Sequence, residues 1–213
     1  MLTFYDYLPS QNGWKVRQIL RHLDIPHRTR QISIFEGEGQ TPEYRAINPT
    51  GAVPAIRLGD GRALSESNAI LAYLAHETPY LPNGRFEAAK VCQWLSFEAD
   101  YVQSTIGSLR YWTLTGKLGK RAPDLVESKR TASRRSLAIL NAQLADRPFI
   151  TGETYTIADI SLFAYAHRAE DIGISLRDYP NFVAWIDRLK AQPGFDATHH
   201  PYSIDPHSAR ELP

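Results

Sequence analysis

The feature that most constrains the fold is a change of pattern near residue 80 of this 213-residue chain. Before it, short runs rich in aromatic and branched residues predict strands separated by short amphipathic helices, in the order β-α-β-α-β-β-α over residues 1–77. Residues 78–85 contain two prolines and an Asn-Gly step and predict a linker. Residues 86–213 predict an all-helical domain with a C-terminal tail, beginning with a long helix over residues 86–112. We therefore expect an α/β domain followed by an all-α domain.

Charge and cysteine content exclude several classes of protein. The chain carries 24 Lys and Arg against 23 Asp and Glu, so it lacks the positive field that binding to a nucleic acid or an anionic membrane requires. No stretch approaches the ~20 apolar residues of a membrane span, and the N-terminus lacks the pattern of a signal peptide. The single cysteine, Cys92, excludes an internal disulfide and any Cys-x-x-Cys motif. We expect a cytoplasmic protein with no nucleic-acid or membrane partner.

The first candidate site is the turn formed by residues 8–13, Leu-Pro-Ser-Gln-Asn-Gly, between the first predicted strand and the first helix. Such a turn directs free backbone N–H groups and the positive end of a helix dipole toward one point, which suits an anion. Ser10 and Asn12 add side-chain donors there. The alternative is that Ser10 or Asn12 only caps the helix.

The second candidate site is Gly51-Ala52-Val53-Pro54, which leads into the third predicted strand. A proline at this place can form a cis peptide bond, which turns the backbone groups of the preceding residue sideways. Those groups can then pair with an extended peptide as an added strand does. The alternative is an ordinary trans proline at a strand edge, which is the more frequent state of an isolated Val-Pro pair.

The third candidate site is Glu66-Ser67, where the fourth predicted strand passes directly into a helix. Ser67 lies among the unsatisfied N–H groups of the helix start, where it can receive a carboxylate, and Glu66 can receive an ammonium group. These are the two ends of an amino acid. The alternative is again helix capping, since a glutamate at a helix N-terminus is favoured by the helix dipole.

The order and spacing of these three motifs, followed by an all-helical half, resemble the cytosolic glutathione transferase superfamily. The resemblance covers residues 1 to about 195 and includes Asn48-Pro49 ahead of Val53-Pro54 and a capping box at Thr156–Asp159. The first loop is most similar to bacterial, nu-class-like members whose loop offers Ser or Thr together with Asn. The resemblance implies a thioredoxin-like N-terminal domain that binds glutathione, and it gives the capping box a structural role only.

The resemblance also assigns roles within a glutathione site. Val53 pairs through its backbone with the cysteinyl unit and is positioned by a cis Pro54. Glu66 and Ser67 hold the γ-glutamyl end, and Gln40 holds the glycyl end. Glutathione is then a co-substrate, and no cofactor and no metal ion are expected.

Arg135, in the second long helix, is the remaining residue that the resemblance places near glutathione. It implies that Arg135 reaches a glutathione carboxylate across the interface of a homodimer. The alternative is a plain charged helix face, because Arg130 and Arg134 are neighbours of Arg135 on the same predicted helix.

The chemistry expected of this site is ionisation of the glutathione thiol by hydrogen bonds from Ser10 or Asn12. Tyr7 is the alternative donor, since the superfamily also has members with a tyrosine near the end of the first strand. Cys92 lies in the helical half, so a first-loop cysteine that forms a mixed disulfide is excluded.

The second substrate is expected between the two domains, against apolar walls, although aromatic residues at helical spacing belong more often to the core than to a pocket. These walls are Leu8, Tyr101, Ile106, Tyr111 and Trp112. The expected reaction is attack of the thiolate on a small apolar electrophile. The alternatives are reduction of a disulfide or a peroxide at the same site, and a non-catalytic binding module that keeps the fold. His199, His200 and His207 lack a spacing that fixes metal geometry, which favours a solvated tail over a metal site.

Overall fold

A computed structural model describes residues 1–205 and 207–208. The chain forms two compact units. The first contains Met1–Ala75 together with residues 196–205 and 207–208, which we call the tail, and the second contains His76–Phe195. The second unit ends earlier than the predicted helical domain, because residues from Asp196 onward pack on the first unit.

The first unit is built on a four-stranded mixed sheet. The strands are β1 (Leu2–Asp6), β2 (His27–Gln31), β3 (Ala55–Arg57) and β4 (Ala63–Ser65). Their order across the sheet is β2-β1-β3-β4, with β1 parallel to β2 and antiparallel to β3, and β3 antiparallel to β4. The parallel pair requires a crossover, which helix α1 (Gln11–His22) supplies, whereas a short turn joins β3 and β4.

Three helices cover the sheet of the first unit: α1 (Gln11–His22), α2 (Pro42–Arg45) and α3 (Ser67–Leu74). Side chains alternate along β1, so that Phe4 and Tyr5 lie on opposite faces. One face buries the cluster Phe4, Val16, Leu20, Ile56 and Ile70, and the other buries Tyr5, Ile32, Tyr44 and Ala55. This arrangement confirms the predicted order of elements in the α/β half.

The second unit is helical. Its helices are α4 (Arg85–Phe97), α5 (Ser108–Leu114), α6 (Pro123–Gln143), α7 (Ile157–Ala166) and α8 (Pro180–Lys190), with a π-helical segment at Glu98–Gly107 between α4 and α5. The predicted capping box is present at the start of α7, where Asp159 accepts the backbone N–H of Thr156 at 2.9 Å. Within the part of the chain that the structure describes, no helix has the length and hydropathy needed to cross a membrane.

Candidate functional site

Ser10 occupies the N-cap position of α1. Its Oγ accepts the backbone N–H of Gly13 at 3.0 Å, so the capping interpretation of this residue is correct. A serine hydroxyl has two acceptor lone pairs and one proton. Capping uses one lone pair and leaves the O–H as a donor, so capping and ligand binding are compatible at Ser10.

Asn12, Ser67 and Lys15 connect the first and third candidate sites. Ser67 Oγ donates to Asn12 Oδ1 at 3.2 Å, and Lys15 Nζ donates to Ser67 Oγ at 3.4 Å. The N-termini of α1 and α3 therefore meet at the Ser67 hydroxyl. With Asn12 Oδ1 held by Ser67, the amide nitrogen of Asn12 is the group that faces away from this bond and can donate to a ligand.

Lys15 is a member of the site that the sequence did not single out. It is fully buried, which is rare for a lysine, and it lies one helical turn after Gln11 on α1. A buried cation next to Ser67 makes this corner favourable for a carboxylate. The sequence did contain one indication of this role: Lys15 lies within the first two turns of a helix whose start was already a candidate site.

Glu66 has a backbone conformation that non-glycine residues seldom adopt, with φ +69°. It lies between the last residue of β4 and the first residue of α3, where the chain turns sharply. Its side chain is exposed, and no side-chain hydrogen bond caps α3 among the described residues. Glu66 therefore occupies the N-cap position of α3 without a side-chain capping bond, and its carboxylate remains at the surface next to Ser67.

The Val53–Pro54 peptide bond is cis, as the resemblance implied. The preceding carbonyl, that of Ala52, is held by two donors, the Tyr44 hydroxyl and the Asn48 amide nitrogen, each at 2.7 Å. Burial raises the pKa of Tyr44, which keeps the hydroxyl protonated as a donor. The backbone before Val53 is thus fixed by buried side chains.

Gln40 lies beside the same loop. A Cβ on Gly51 would lie 2.6 Å from the Gln40 side-chain nitrogen, and one on Gly39 would lie 2.1 Å from the Gly51 carbonyl oxygen. Only glycines at both positions allow this close approach, and Gly51 also has a φ of +72°. The predicted glycyl-end residue and the Val53 loop are therefore neighbours.

Tyr7, the alternative donor, is buried in an aromatic cluster of the first unit. Its ring stacks on Tyr202 with centroids 6.2 Å apart and meets the edge of Phe35 at 6.1 Å. The backbone carbonyl of Tyr7 accepts the N–H of Ser10 at 2.8 Å. Tyr7 thus shapes the loop that carries Ser10.

The remaining predicted residues lie in the second unit, except Leu8 in the first loop. Ile106 is fully buried and belongs to the core, whereas Tyr101 is exposed and stacks on Phe97. Tyr111 and Trp112 each face a cation, with Arg121 lying 4.8 Å from the Trp112 ring centre. Arg135 is exposed on α6.

Two of the three predicted tail histidines, His199 and His207, have partners within the first unit, so the expectation of a solvated tail is wrong for them. His199 contacts the Gln11 amide at 3.4 Å, and His207 pairs with Glu36 at 2.6 Å. Among the described residues, no group of three His, Cys, Asp or Glu side chains is placed to hold a metal ion.

Together these groups form a surface suited to a small peptide-like ligand with an anionic reactive atom. The start of α1 offers hydroxyl and amide donors, and the Val53 backbone is held beside a cis proline. The start of α3 offers the exposed Glu66 carboxylate and the Ser67 hydroxyl, which accepts a hydrogen bond from the buried Lys15 of α1. Such an arrangement binds a peptide by its backbone and its charged end.

Comparison with known proteins gives matches to both units. Residues 9–77 match the model of the N-terminal domain of glutathione S-transferase, and residues 123–188 match that of its C-terminal domain. Glutathione S-transferase 1 of Schizosaccharomyces pombe is 31% identical, over 92% of this chain and 94% of its own. The disulfide-bond oxidoreductase YfcG of Escherichia coli is 28% identical, over 91% of this chain and 92% of its own.

A solved structure with the same architecture is that of a glutathione transferase family member from Pseudomonas fluorescens Pf-5, determined with two glutathione molecules bound. It is 27% identical to this chain, covers 91% of this chain and 89% of its own, and superposes with a TM-score of 0.79.

Proposed function

The chain belongs to the glutathione S-transferase family, and on this basis we propose that it binds glutathione on its first unit and ionises the thiol for attack on an apolar electrophile. The observation that carries the proposal is the geometry at the start of α1. There, Ser10 caps the helix through a lone pair and keeps its O–H proton, while Asn12 is oriented by Ser67. Glu66 and Ser67 then receive the γ-glutamyl end, with the buried Lys15 behind Ser67, and Gln40 receives the glycyl end.

The strength of these donors is sufficient for ionisation. A free thiol has a pKa near ~8.5, so only a few per cent is thiolate at neutral pH. A charge-assisted hydrogen bond contributes ~1.5–3 kcal/mol, and the helix end adds ~0.3–1 kcal/mol. At ~1.4 kcal/mol per pH unit, these contributions lower the thiol pKa by about one to three units. The thiolate then becomes the major species, and the mechanism requires no general base.

The reaction that follows is a displacement. The glutathione sulfur forms a bond to the electrophilic carbon, and the leaving group departs with the bonding electron pair. Because the nucleophile is already ionised, the contribution of the protein is to hold the thiolate and exclude water around it.

Titration of the ultraviolet thiolate absorbance of bound glutathione tests this mechanism. We expect a midpoint below neutrality in the unaltered protein. The double variant Ser10→Ala, Asn12→Ala should move the midpoint up by about one to two pH units, by loss of the ~1.5–3 kcal/mol hydrogen bond. It should also slow turnover of an aryl halide. An unchanged titration midpoint would show that these two residues do not contact the thiolate.

Single substitutions at Ser10 separate the cap from the donor. Ser10→Thr keeps both the cap and the O–H and should retain the low midpoint. Ser10→Gly removes the O–H but costs the helix start only a few tenths of a kcal/mol, so the fold survives while the midpoint rises. If Ser10→Gly keeps the low titration midpoint of the unaltered protein, the contact with the thiolate is made by Asn12 alone.

Glutathione-dependent reduction of a disulfide is the second candidate function, favoured by the similarity to YfcG. One glutathione thiolate attacks the disulfide and releases a thiol, and a second thiolate resolves the mixed disulfide to yield glutathione disulfide. Comparing kcat/KM for a small hydroxyalkyl disulfide with that for an aryl halide distinguishes the two functions. Tight glutathione binding without turnover of either substrate would instead support a non-catalytic binding module.

We also propose that the chain forms a homodimer in which Arg135 reaches the glutathione of the partner. Arg135 is exposed on α6, which is consistent with a contact outside its own chain. Sedimentation at micromolar concentration should give twice the 24.1 kDa of one chain, and Arg135→Ala should weaken glutathione binding. A clean 24.1 kDa species would refute the dimer.

A further inference from the structure

A cavity of about 270 Å³ lies within the first unit, beside the loop that leads to Ser10. The body of the unit contributes apolar surface through Tyr7, Leu8 and Ile32, and the tail contributes Ile204. The tail also contributes Asp205 and His207 to the lining. One wall of the cavity is therefore made by the last described residues of the chain.

The tail is fixed in this position by three separate contacts. The Tyr202 ring stacks on Tyr7 and meets the edge of Phe35 at 5.8 Å. The Ser33 hydroxyl donates to Asp205 at 2.9 Å, and His207 pairs with Glu36 at 2.6 Å. An aromatic stack, a hydrogen bond and the contact between His207 and Glu36 together make this segment a structural wall.

The cavity adjoins the proposed thiol-binding groups through shared residues. Leu8 and Pro9 line it and immediately precede Ser10. Ile32 lines it as well, and Ile32 belongs to the buried cluster against which Val53 packs. A molecule in the cavity thus lies beside the loop that leads to the N-cap serine, and shares the Ile32 side chain with the cluster against which Val53 packs.

The net charge of the cavity lining is negative. Its lining includes the carboxylates of Asp205 and Glu36, and none of the described lining residues is a lysine or an arginine. His207 is paired with Glu36, so a negative charge remains on the lining whether or not His207 is protonated. Like charges brought together in a partly enclosed site repel each other, which disfavours an anionic occupant.

The size of the cavity also disfavours glutathione as its occupant. Its volume is just below the ~300–1,000 Å³ typical of small-molecule sites. Glutathione, a tripeptide with two carboxylates and one ammonium group, is both large and net negative. A compact ligand with an apolar body and no negative charge fits the apolar walls and the negative charge of the cavity.

We propose that this cavity receives the second substrate, and that Asp205 and Glu36 select neutral or cationic apolar electrophiles over anionic ones, including a second glutathione or its disulfide. The proposal rests on the proposed function, because it takes the neighbouring loop as the place of the glutathione thiolate. On this proposal, the tail of the first unit contributes directly to the choice of the second substrate.

The test compares three ortho-nitro aryl chlorides that share one reactive centre and carry a carboxamide, a carboxylate or an aminoethyl amide. In each, the glutathione sulfur bonds to the chlorinated carbon and chloride leaves. Each kcat/KM is divided by the rate with free glutathione, which removes differences in intrinsic reactivity. We expect the carboxylate to be disfavoured relative to the carboxamide by at least about tenfold, and the cationic amide to be favoured.

The variant Glu36→Gln, Asp205→Asn should remove most of this ordering, because both amides keep oxygen acceptors for His207 and Ser33 while losing charge. The control is Asp60→Asn, which removes one negative charge from the first unit, whereas the cavity variant removes two, and which lies in an exposed turn outside the cavity lining. The control should keep the ordering of the unaltered protein. A cavity-filling Ile204→Trp should raise KM for all three chlorides and leave the affinity for glutathione unchanged.

Failure of this inference differs from failure of the proposed function. If glutathione does not bind, or binds with the thiol pKa of the free peptide, the proposed function fails and this inference fails with it. If glutathione binds with a lowered thiol pKa and the three chlorides react equally, only the inference is overturned. If none of the chlorides reacts, the inference and the proposed attack on an aryl electrophile both fail, while the thiol-binding part of the proposed function stands. An unchanged ordering in Glu36→Gln, Asp205→Asn also overturns it.

Discussion

At the residue scale, an ion pair behind the first loop holds the backbone that presents Ser10. The Arg17 guanidinium pairs with Asp6, which is fully buried, and also donates to the carbonyl of Leu8 at 2.9 Å. A Cβ on Gly13 would lie only 2.1 Å from the other carboxylate oxygen of Asp6. Gly13, which closes the cap of Ser10, is therefore held against a buried carboxylate, and Arg17 connects that carboxylate to the loop.

We predict that Arg17→Met lowers the free energy of unfolding by about 2–3 kcal/mol. Removing one partner of a fully buried pair costs ~3–5 kcal/mol, and here a quarter of the Arg17 side chain is exposed. The midpoint of the bound-thiol titration should also rise, because the Leu8 carbonyl loses its donor and the loop relaxes. Urea denaturation and the ultraviolet titration measure the two effects.

The control for this prediction is Arg21→Met on the same helix. Arg21 pairs with Asp196 at 3.3 Å, but both side chains are largely exposed, so the expected cost is ~0–1 kcal/mol with no change in the thiol titration. Equal effects of the two variants would mean that Arg17 stabilises only helix α1 and does not position the loop.

At the element scale, α1 has two functions on two of its surfaces. Its N-terminus forms part of the candidate site, and one side of it binds the tail through Gln11, Trp14 and Gln18, which are spaced three and four residues apart. Trp14 Nε1 donates to the Asp196 carbonyl at 2.8 Å, and Gln18 accepts the Asp196 N–H at 2.9 Å. Both backbone groups of Asp196 are thus bound by one helix.

We predict that Trp14→Phe loosens the tail at its attachment to α1. Loss of the indole N–H leaves the Asp196 carbonyl without this donor, which costs ~1 kcal/mol and lowers the hydrogen-exchange protection of the Asp196 amide. Trp94→Phe in α4 is the matched control, since the Trp94 indole nitrogen has no hydrogen-bond partner among the described residues. Unchanged protection at Asp196 in Trp14→Phe would contradict the prediction.

The sequence predicted the order of the elements well and the tail poorly, for a physical reason. Strands and helices of the first unit follow from side-chain periodicity, which is visible in the sequence. The attachment of the tail uses the backbone groups of Asp196, which every residue type possesses, so no pattern marks it. The tail was therefore expected to belong to the helical domain.

The long helix predicted at residues 86–112 is interrupted for a similar reason. Its apolar spacing continues through Glu98–Gly107, but the backbone there is π-helical. Hydroxyl groups of Ser104, Thr105 and Ser108 donate to carbonyls four residues earlier and compete with the backbone ladder. Apolar periodicity carries no information about this competition.

For the candidate site, the sequence identified three separate motifs but not the connection between them. Ser10 and Asn12 were recognised from turn chemistry, and Ser67 from its place at a helix start. The bond from Ser67 to Asn12 joins residues 55 positions apart, and a single sequence does not show such a contact. Lys15 was missed because a lysine on a helix is expected at the surface.

At the scale of the whole molecule, acid stability depends on two buried groups of the second unit that act in opposite directions. Burial lowers the pKa of His167 to about 3, assisted by the nearby charges of Arg168, Arg110 and Lys190. Burial also raises the pKa of Asp159 to about 6, despite hydrogen bonds from Ile150, Thr156 and Trp185.

The signs of the two effects follow from proton binding in the folded and unfolded states. Between pH 4 and 6, the unfolded chain protonates His167 and the folded chain does not, so this residue makes stability fall as the pH falls. In the same range, the folded chain keeps the Asp159 proton and the unfolded chain loses it, so Asp159 makes stability rise as the pH falls. Each effect is ~1.4 kcal/mol per pH unit, and the two nearly cancel.

We predict that His167→Phe removes this cancellation. The substituted ring can keep the stacking on Phe163, whose centroid lies 4.0 Å from that of His167, but it does not titrate. The stability of the variant relative to the unaltered protein should therefore increase by ~1.4 kcal/mol for each pH unit between 6 and 4, whatever its offset at pH 7. Urea denaturation of both proteins at a series of pH values measures this difference. Subtracting one stability curve from the other cancels the contributions of all other titrating groups. Parallel stability curves would show that His167 protonates in the folded state as easily as in the unfolded chain, and hence that its burial does not determine the acid stability of the second unit.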